Sequence, residues 1–431
     1  MDAYSRCLDE MFGLRRFGIK LGLDTMRRLL DGLGHPEAAF QAIHVAGTNG
    51  KGSVAAMVAS VLRQKGIRTG LYTSPHLVRF NERIVIDGRP INDHQVLQAY
   101  RRVRSAAQTD REPTFFECTT AMALAEFARC EVEWAIVETG MGGRLDATNI
   151  LAPALSVITN ISLEHREYLG NTIRAIAYEK AGIIKPDTPV VTGIRQPSAV
   201  AQVEAAAAKN RAPLFRLGKD FRVRRHPNGS FTYSGIDRTW QQMKTSLAGS
   251  HQAENAGLAL AACEVLHRLG LELSPDQIRS GLLQTSWPGR LEVVSTEPFV
   301  LLDGAHNLTA ARNLARHLQT RLSERSITLV VGILDDKPYR GMLQAMVPVC
   351  RKVIVTRPRI GRGLPVDTLL QVARKMNPRT QAVGDVKQAL LQAMAAAGPN
   401  DAVVVAGSLY VVGEAKAALE EMDLDNRTSI H

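Results

Sequence analysis

The sequence predicts an α/β protein whose sheets are mostly parallel and whose chain forms two successive domains. Three observations lead there. Short β-branched runs end repeatedly in Gly or Asp and open into stretches of helical period, the pattern of strands joined by crossover helices. That rhythm breaks once, between residues 215 and 245, where short alternating runs surround the turn Pro227-Asn228-Gly229. It restarts beyond Ser286-Trp287-Pro288-Gly289-Arg290.

In chain order, strands are expected near residues 42–45, 70–73, 134–137, 155–159 and 189–192, each an apolar run bounded by turn-forming residues. Helices at 53–65 and 119–129 fall between them, and the Ala-rich stretch 203–209 reads as a further helix. Residues 215–245 are expected to form a small β insertion of three strands, Phe-Arg-Leu, Phe-Arg-Val-Arg-Arg and Phe-Thr-Tyr. Strands near 299–302, 328–332, 353–356 and 402–406 build the second domain, so the expected domains are 1–289 and 290–431.

Composition bounds the function. A chain of 431 residues, 45% apolar and 22% charged, is too apolar for a disordered protein and too long for one core. Its net charge of +11 favours anionic partners such as nucleotides, polycarboxylates or nucleic acid. Five scattered cysteines without a C-x-x-C pair argue against a disulfide framework and against a zinc knuckle, which suits a reducing cytoplasmic setting. The start MDAYSRCLDE lacks a signal pattern, and no apolar run approaches the ~20 residues that span a bilayer.

The first expected strand runs into Gly47-Thr48-Asn49-Gly50-Lys51-Gly52-Ser53 and then a helix. Glycines allow positive φ, so backbone N–H groups can converge on an anion. The helix N-terminus adds positive potential, and Lys51 neutralises the outer phosphates of a nucleoside triphosphate. The spacing departs from the common P-loop pattern, since only two residues separate Gly47 from Gly50 and Gly52 intervenes before Ser53. A structural strand-to-helix turn is the alternative. Glu138 ends the apolar run 134–137 and precedes the Gly-rich stretch 139–149, where a carboxylate beyond a parallel strand suits Mg²⁺. Ser74 could add a hydroxyl oxygen, although taken alone a Ser-Pro turn explains it better, and His165 reads on its own as a loop histidine.

Taken together, GTNGKGS (47–53), TSPHL (73–77), FNERI (80–84), ETGMGGRLDATN (138–149), the 160–172 segment and EKAGIIK (179–185) resemble the folylpolyglutamate synthase/dihydrofolate synthase family of the Mur ligase superfamily. HQAEN (251–255), WPGR (287–290), DGAHN (303–307), GILDDK (332–337) and GSLYVVG (407–413) extend the resemblance over nearly the whole chain. It implies a Mur-type P-loop ATPase domain followed by a Rossmann-like domain, with the active site in the cleft between them. It also implies ATP-dependent ligation of L-glutamate to dihydropteroate and to the γ-carboxylate of folates through an acyl phosphate.

Position by position, the resemblance assigns the ATP phosphates to Thr48, Asn49, Gly50 and Lys51 within the loop, with Asn255, Arg290 and Asp303 completing the nucleotide site. Ser74, Glu138 and His165 become Mg²⁺ ligands, and Lys180 matches a lysine that carries a carbamate in the superfamily. Glu164 stands where the family commonly has Asp. Ile19, Lys20, Leu21, Thr114, Phe115, Phe116, Glu117, Leu145, Asp146 and Ala147 match the pterin side; Thr114-x-x-Glu117 is also a capping box. His306 and Ser408 match the region that holds glutamate, while Asn307 and Ser408 also suit helix N-caps.

The partners implied are small molecules, without nucleic acid or membrane, and a monomer is expected. Rival readings are a monofunctional enzyme, a cell-wall Mur ligase, and a basic P-loop ATPase that binds nucleic acid through Arg101–Arg104 or Arg222–Arg225. Those two runs lack interleaved aromatic residues, which favours solvated faces.

Overall fold

The computed structural model describes residues 2–14, 18, 20–107 and 111–428. By internal packing the chain divides into two units. The first comprises Met1–Pro75, Asn81–Ser246 and Gln252–Ser286; the second comprises His76–Phe80, Leu247–His251 and Trp287–His431. Two short segments that precede residue 287 therefore pack with the second unit, which hydrophobic patterning does not reveal.

The first unit opens with helices α1 (Ala3–Gly13) and α2 (Asp24–Gly32). Next come β1 (Gln41–Ala46), α3 (Lys51–Gln64), β2 (Thr69–Tyr72), β3 (Ile84–Ile86), β4 (Arg89–Pro90), α4 (Asp93–Ala106), α5 (Phe115–Arg129) and β5 (Trp134–Glu138). It continues through β6 (Leu155–Ile158), α6 (Arg166–Leu169), α7 (Ile173–Ala181), β7 (Val190–Thr192), α8 (Pro197–Lys209) and β8 (Leu214–Arg216). The strands form one sheet in the order β4-β3-β2-β5-β1-β6-β7-β8, antiparallel only at β3 and β4. The remainder is β9 (Arg222–Arg225), β10 (Phe231–Ser234), β11 (Thr239–Met243), α9 (Gln252–Arg268) and α10 (Pro275–Leu283).

Burial follows position in the sheet. Central β1 is buried along all but its first residue, as expected of a strand covered on both faces. Helix α3 is buried from Gly52 to Leu62, because α9 and α10 cover the side that β1, β2 and β5 do not. Helices α7 and α8 pack Ile176, Ala177, Ala199 and Val203 against Ile158 and Val190. Helix α5 begins at Phe115, earlier than the expected 119, because Thr114 and Glu117 form a complete capping box.

The expected β insertion needs one correction. Its first strand belongs to the main sheet as β8, which pairs in parallel with β7 after the α8 crossover. Only β9, β10 and β11 form the separate antiparallel sheet. Buried Glu264 on α9 anchors it, accepting from the Tyr233 hydroxyl at 2.6 Å and from the backbone N–H groups of Ile236 (2.7 Å), Asp237 (3.1 Å) and Arg238 (2.7 Å).

The second unit contains β12 (Glu292–Thr296), β13 (Phe299–Asp303), α11 (Leu308–Arg321), β14 (Ser326–Val331), α12 (Tyr339–Met346) and β15 (Lys352–Val355). It ends with α13 (Val366–Arg374), β16 (Thr380–Ala382), α14 (Val386–Ala395), β17 (Asp401–Ala406) and α15 (Leu409–Thr428). Its sheet runs β12-β13-β17-β14-β15-β16, parallel except for the edge strand β12. Leu314, Leu318, Met342, Leu343 and Leu369 of α11–α13 fill one core with Leu329 and Val353. Val386, Leu390, Val411 and Val412 of α14 and α15 fill the other with Val330 and Val403, so each sheet face carries its own helices. The five cysteines are unpaired, and among the described residues no helix is long and apolar enough to cross a membrane.

Candidate active site

In the first sheet the connection from β1 leads across β5 to β2, whereas that from β5 leads across β1 to β6. The carboxyl ends of β2, β5, β1 and β6 therefore flank a switch in winding direction, where open α/β sheets bind ligands. Ser74, Glu138, Gly47 and Thr159 follow or end those four neighbouring strands.

The loop 47–50 has the backbone that its glycines permit. Gly47 and Gly50 have φ of +151° and +83°. A Cβ on Gly47 would collide with the Thr159 hydroxyl, and one on Gly50 would lie 2.5 Å from Asn255 Oδ1. Gly50 caps α3 without a side chain, which leaves the first-turn amides open to an anion. The amides of Thr48 and Asn49 are committed elsewhere, donating to the Asn160 carbonyl at 2.8 Å and to Asn160 Oδ1 at 3.0 Å. Asn160 Nδ2 and Thr159 Oγ1 return donors to the Asn49 carbonyl at 2.8 and 2.7 Å. Thr48 and Asn49 thus shape the cradle through the 159–162 loop, whereas the N-terminal turn from Gly50 onward presents it. Sequence reasoning gave Asn160 no role, although it opens the 160–172 segment of the resemblance just beyond a strand.

Charged side chains gather beside this loop. Lys51 Nζ lies 3.5 Å from Glu138 Oε1, and the Ser74 amide donates to Glu138 Oε2 at 3.4 Å. Buried Lys180 donates to the Gly47 carbonyl at 2.7 Å. Desolvation, aided by the charge of Lys51, pulls its pKa down to about 7, while Glu164, Asp146 and Glu138 oppose that shift. His165 sits in the left-handed region at φ +51°, with Nε2 3.8 Å from Glu164 Oε1. Among the described residues no three His, Cys, Asp or Glu side chains cluster tightly enough to hold a metal alone. Glu138 with a Ser74 oxygen is the sparse, hard donor set from which Mg²⁺ keeps positions for water and phosphate, so these residues fit that ion.

Gln252 and Asn255 lie three residues apart on α9, facing the same loop. Asn255 Nδ2 donates to Gln252 Oε1 at 2.8 Å, and Gln252 Nε2 reaches Ser53 Oγ at 3.4 Å. The i, i+3 spacing within HQAEN was the available signal for Gln252.

The residues matched to the pterin side separate into groups. The Phe116 ring packs where a Cβ on Gly140 would stand, which joins the start of α5 to the Gly-rich loop. Phe115 lies under the Arg83 guanidinium, 5.1 Å from its ring centre, and Phe116 lies 6.1 Å from Tyr72. Arg83, buried within FNERI, is a neighbour that sequence reasoning did not single out. Thr114 and Glu117 are buried and engaged in their capping box, and Arg111 pairs with Glu117 at 2.6 Å. Asp146 is buried between half-buried Leu145 and buried Ala147. Its carboxylate accepts from Met141 N at 2.8 Å, Thr148 N at 3.1 Å and Thr148 Oγ1 at 2.5 Å. Burial nevertheless pushes its pKa up, against those bonds and the Lys51 charge. Lys20 and Leu21 are exposed, and Ile19 lies outside the described residues.

In the second unit, Asp303 and Ala406 are paired at the carboxyl ends of β13 and β17, so the loops bearing His306 and Ser408 emerge side by side. Asp303 accepts from Leu291 N at 2.9 Å and Ala305 N at 3.0 Å; burial raises its pKa, and the nearby Arg290 charge opposes this. Arg290 donates to the Gly304 carbonyl at 3.1 Å. His306 Nδ1 lies 2.8 Å from that carbonyl and so carries the proton. Ser408 Oγ and Asn307 Oδ1 accept from Val411 N and Ala310 N at 3.1 and 3.0 Å, the capping geometry that the sequence left open.

Residues 45–263 match the Mur ligase middle domain, and residues 289–409 match the Mur ligase glutamate ligase domain. The dihydrofolate synthase/folylpolyglutamate synthase of Bacillus subtilis is 37% identical over 97% of this chain and 99% of its own. The folylpolyglutamate synthase of Mycobacterium tuberculosis, solved with ADP and AMPPCP, superposes with a TM-score of 0.88 at 35% identity, covering 96% of this chain and 98% of that one. An Escherichia coli structure, FolC in complex with DHPP and ADP, superposes with a TM-score of 0.89 at 30% identity, covering 97% and 98%. With two Mur domains in order and full-length likeness of this kind, the chain belongs to the dihydrofolate synthase/folylpolyglutamate synthase family of Mur ligases.

Proposed function

We propose that the chain ligates L-glutamate to dihydropteroate, giving dihydrofolate, and to the γ-carboxylate of reduced folates, giving polyglutamates, in both cases with cleavage of ATP to ADP and phosphate. The observation that carries this reading is the meeting of Lys51, Glu138, Ser74 and Lys180 at an uncapped, glycine-shaped helix N-terminus. A substrate carboxylate attacks the γ-phosphorus, and the first-turn amides and Lys51 offset the charge that builds on the phosphoryl oxygens. The resulting acyl phosphate is an activated electrophile. The glutamate amine adds to its carbonyl, and phosphate departs from the tetrahedral intermediate.

Ser74, Glu138 and His165 would hold Mg²⁺, which supplies charge neutralisation on the phosphates. A pKa of about 7 leaves a large neutral fraction of Lys180, the form that adds CO₂ and loses a proton to become an anionic carbamate. Asn255, Arg290 and Asp303 are proposed for the nucleotide, Asp146 and Phe116 for the pterin, and His306 with Ser408 for glutamate. Because Ser408 Oγ caps α15, its contribution is through the backbone around it. The working unit is proposed to be a monomer.

Purified protein supplied with ATP, Mg²⁺ and L-glutamate, and with dihydropteroate or tetrahydrofolate in separate reactions, should add one glutamate to the first and several to the second, read by mass spectrometry. Folate products alone would leave a monofunctional polyglutamylase, and no product from either would overturn the reading. Glu138→Ala should stay folded by circular dichroism yet lose both activities by at least about a hundredfold.

A further inference from the structure

His44 is a polar interruption in an apolar strand. It is fully buried between Ile43 and Val45 on β1, and burial drives its pKa down to about 3, so the ring is neutral in use. Only one ring nitrogen has a partner. Nε2 lies 2.8 Å from Thr148 Oγ1, across 104 residues of sequence, while Nδ1 is buried without a hydrogen bond. An apolar side chain would fill this space without orphaning a buried nitrogen, which costs stability. The histidine therefore calls for a reason beyond packing.

The hydrogen-bond directions provide one. Thr148 Oγ1 is also 2.5 Å from Asp146 Oδ1, and that carboxylate already accepts two backbone N–H groups, from Thr148 and Met141. The hydroxyl proton points to Asp146, so the oxygen accepts from Nε2–H of His44. A directed chain runs from the core of the sheet, through Thr148, to Asp146. Met141 N–H holds the other carboxylate oxygen at 2.8 Å. Both oxygens are thus oriented by fixed donors, and the carboxylate lies within electrostatic reach of Lys51 and Lys180.

We propose that His44 is a positioning residue that, through Thr148, aims the Asp146 carboxylate at the amine and ring N–H donors of the pterin. The proposal rests on the reading of Asp146 as a pterin-site residue. Because His44 also stands three residues before Gly47, a merely structural role would disturb ATP and pterin together. A positioning role separates them.

The test is steady-state kinetics on D146N, T148V, T148S, H44M, H44Q and the double variant H44M/T148V, with melting temperatures measured alongside. T148V and H44M should each raise KM for dihydropteroate about tenfold, the scale of one lost buried hydrogen bond, and leave KM for ATP and glutamate within about twofold. The double variant should be no worse than the poorer single one, and T148S and H44Q, which keep a hydroxyl or a donor, should recover most of the loss. A parallel rise in KM for ATP, additive effects in the double variant, or a lowered melting temperature with unchanged KM would overturn the positioning role. If D146N raises KM for dihydropteroate while H44M and T148V do not, this inference fails alone. If D146N itself leaves that KM at the wild-type value, the pterin-site reading of Asp146 fails and the inference falls with it.

Discussion

Two buried bases show how one physical effect has different uses at the residue scale. Desolvation lowers the pKa of both Lys180 and His44, to about 7 and about 3. Lys180 is left near the balance between charged and neutral forms, beside carboxylates that favour the charge. His44 is left neutral throughout the working range, with the nearby Lys185 charge adding to the effect of burial. That neutrality has a consequence for stability. Between the native value of about 3 and the ordinary 6.5, the unfolded chain binds a proton at this position and the native chain does not. Unfolding is therefore favoured as pH falls: the contribution is complete above 6.5 and is lost progressively toward 3. Denaturant midpoints measured across that window should fall more steeply for wild type than for His44→Met, and parallel slopes would remove the buried neutral histidine from the account.

At the scale of the element, the glycine-rich loop 47–53 shows what a motif carries and what it omits. Glycines before a lysine and a helix were legible in the sequence, and they predict a left-handed residue at the helix start. The structure places Gly50 there at φ +83°, with Asn255 closing the space where a Cβ would stand. Gly50→Ala should meet a backbone penalty of about 1–2 kcal/mol together with a collision. Calorimetric titration with ADP should show binding weakened by at least about tenfold. Unchanged affinity would mean that the loop does not carry the phosphates. The motif did not reveal that the amides of Thr48 and Asn49 are tied to Asn160, because that bond depends on β6 lying next to β1. For the same reason the Phe-Arg-Leu run reads correctly as strand, but the sequence places it in the small insertion, whereas it pairs with β7 in the main sheet. Alternation marks a strand, whereas pairing partners are decided by the helix that precedes it.

For the whole molecule, each unit has its own main sheet and its own apolar layers, but neither is one continuous stretch of chain. Segments 76–80 and 247–251 pack with residues 287–431: a Cβ on Gly413 of α15 would strike the Leu77 carbonyl, and one on Gly249 would lie 2.8 Å from Leu291. A fragment of residues 287–431 expressed alone lacks both segments and exposes the apolar surface they cover. It should retain far-ultraviolet helix and strand signal, bind ANS, and unfold without a sharp transition. A fragment that melts cooperatively would show that the two segments are dispensable.

The sequence by itself determined the α/β class, the positions of most strands, the glycine-rich strand-to-helix loop, the carboxylate ending β5 and the family resemblance. All of these are local: apolar period, glycine placement and short motifs are written within a few residues of one another. Only the tertiary structure decided that Asn160 shapes the loop, that Phe116 meets Gly140, that Arg83 lies over Phe115, and that His44 reaches Asp146 through Thr148. These contacts join residues far apart in the chain, and no pattern within one segment encodes its neighbour across a sheet. They exist because parallel strands bring the carboxyl ends of β2, β5, β1 and β6 to one edge, where loops that share no sequence signal must satisfy one another's buried polar groups.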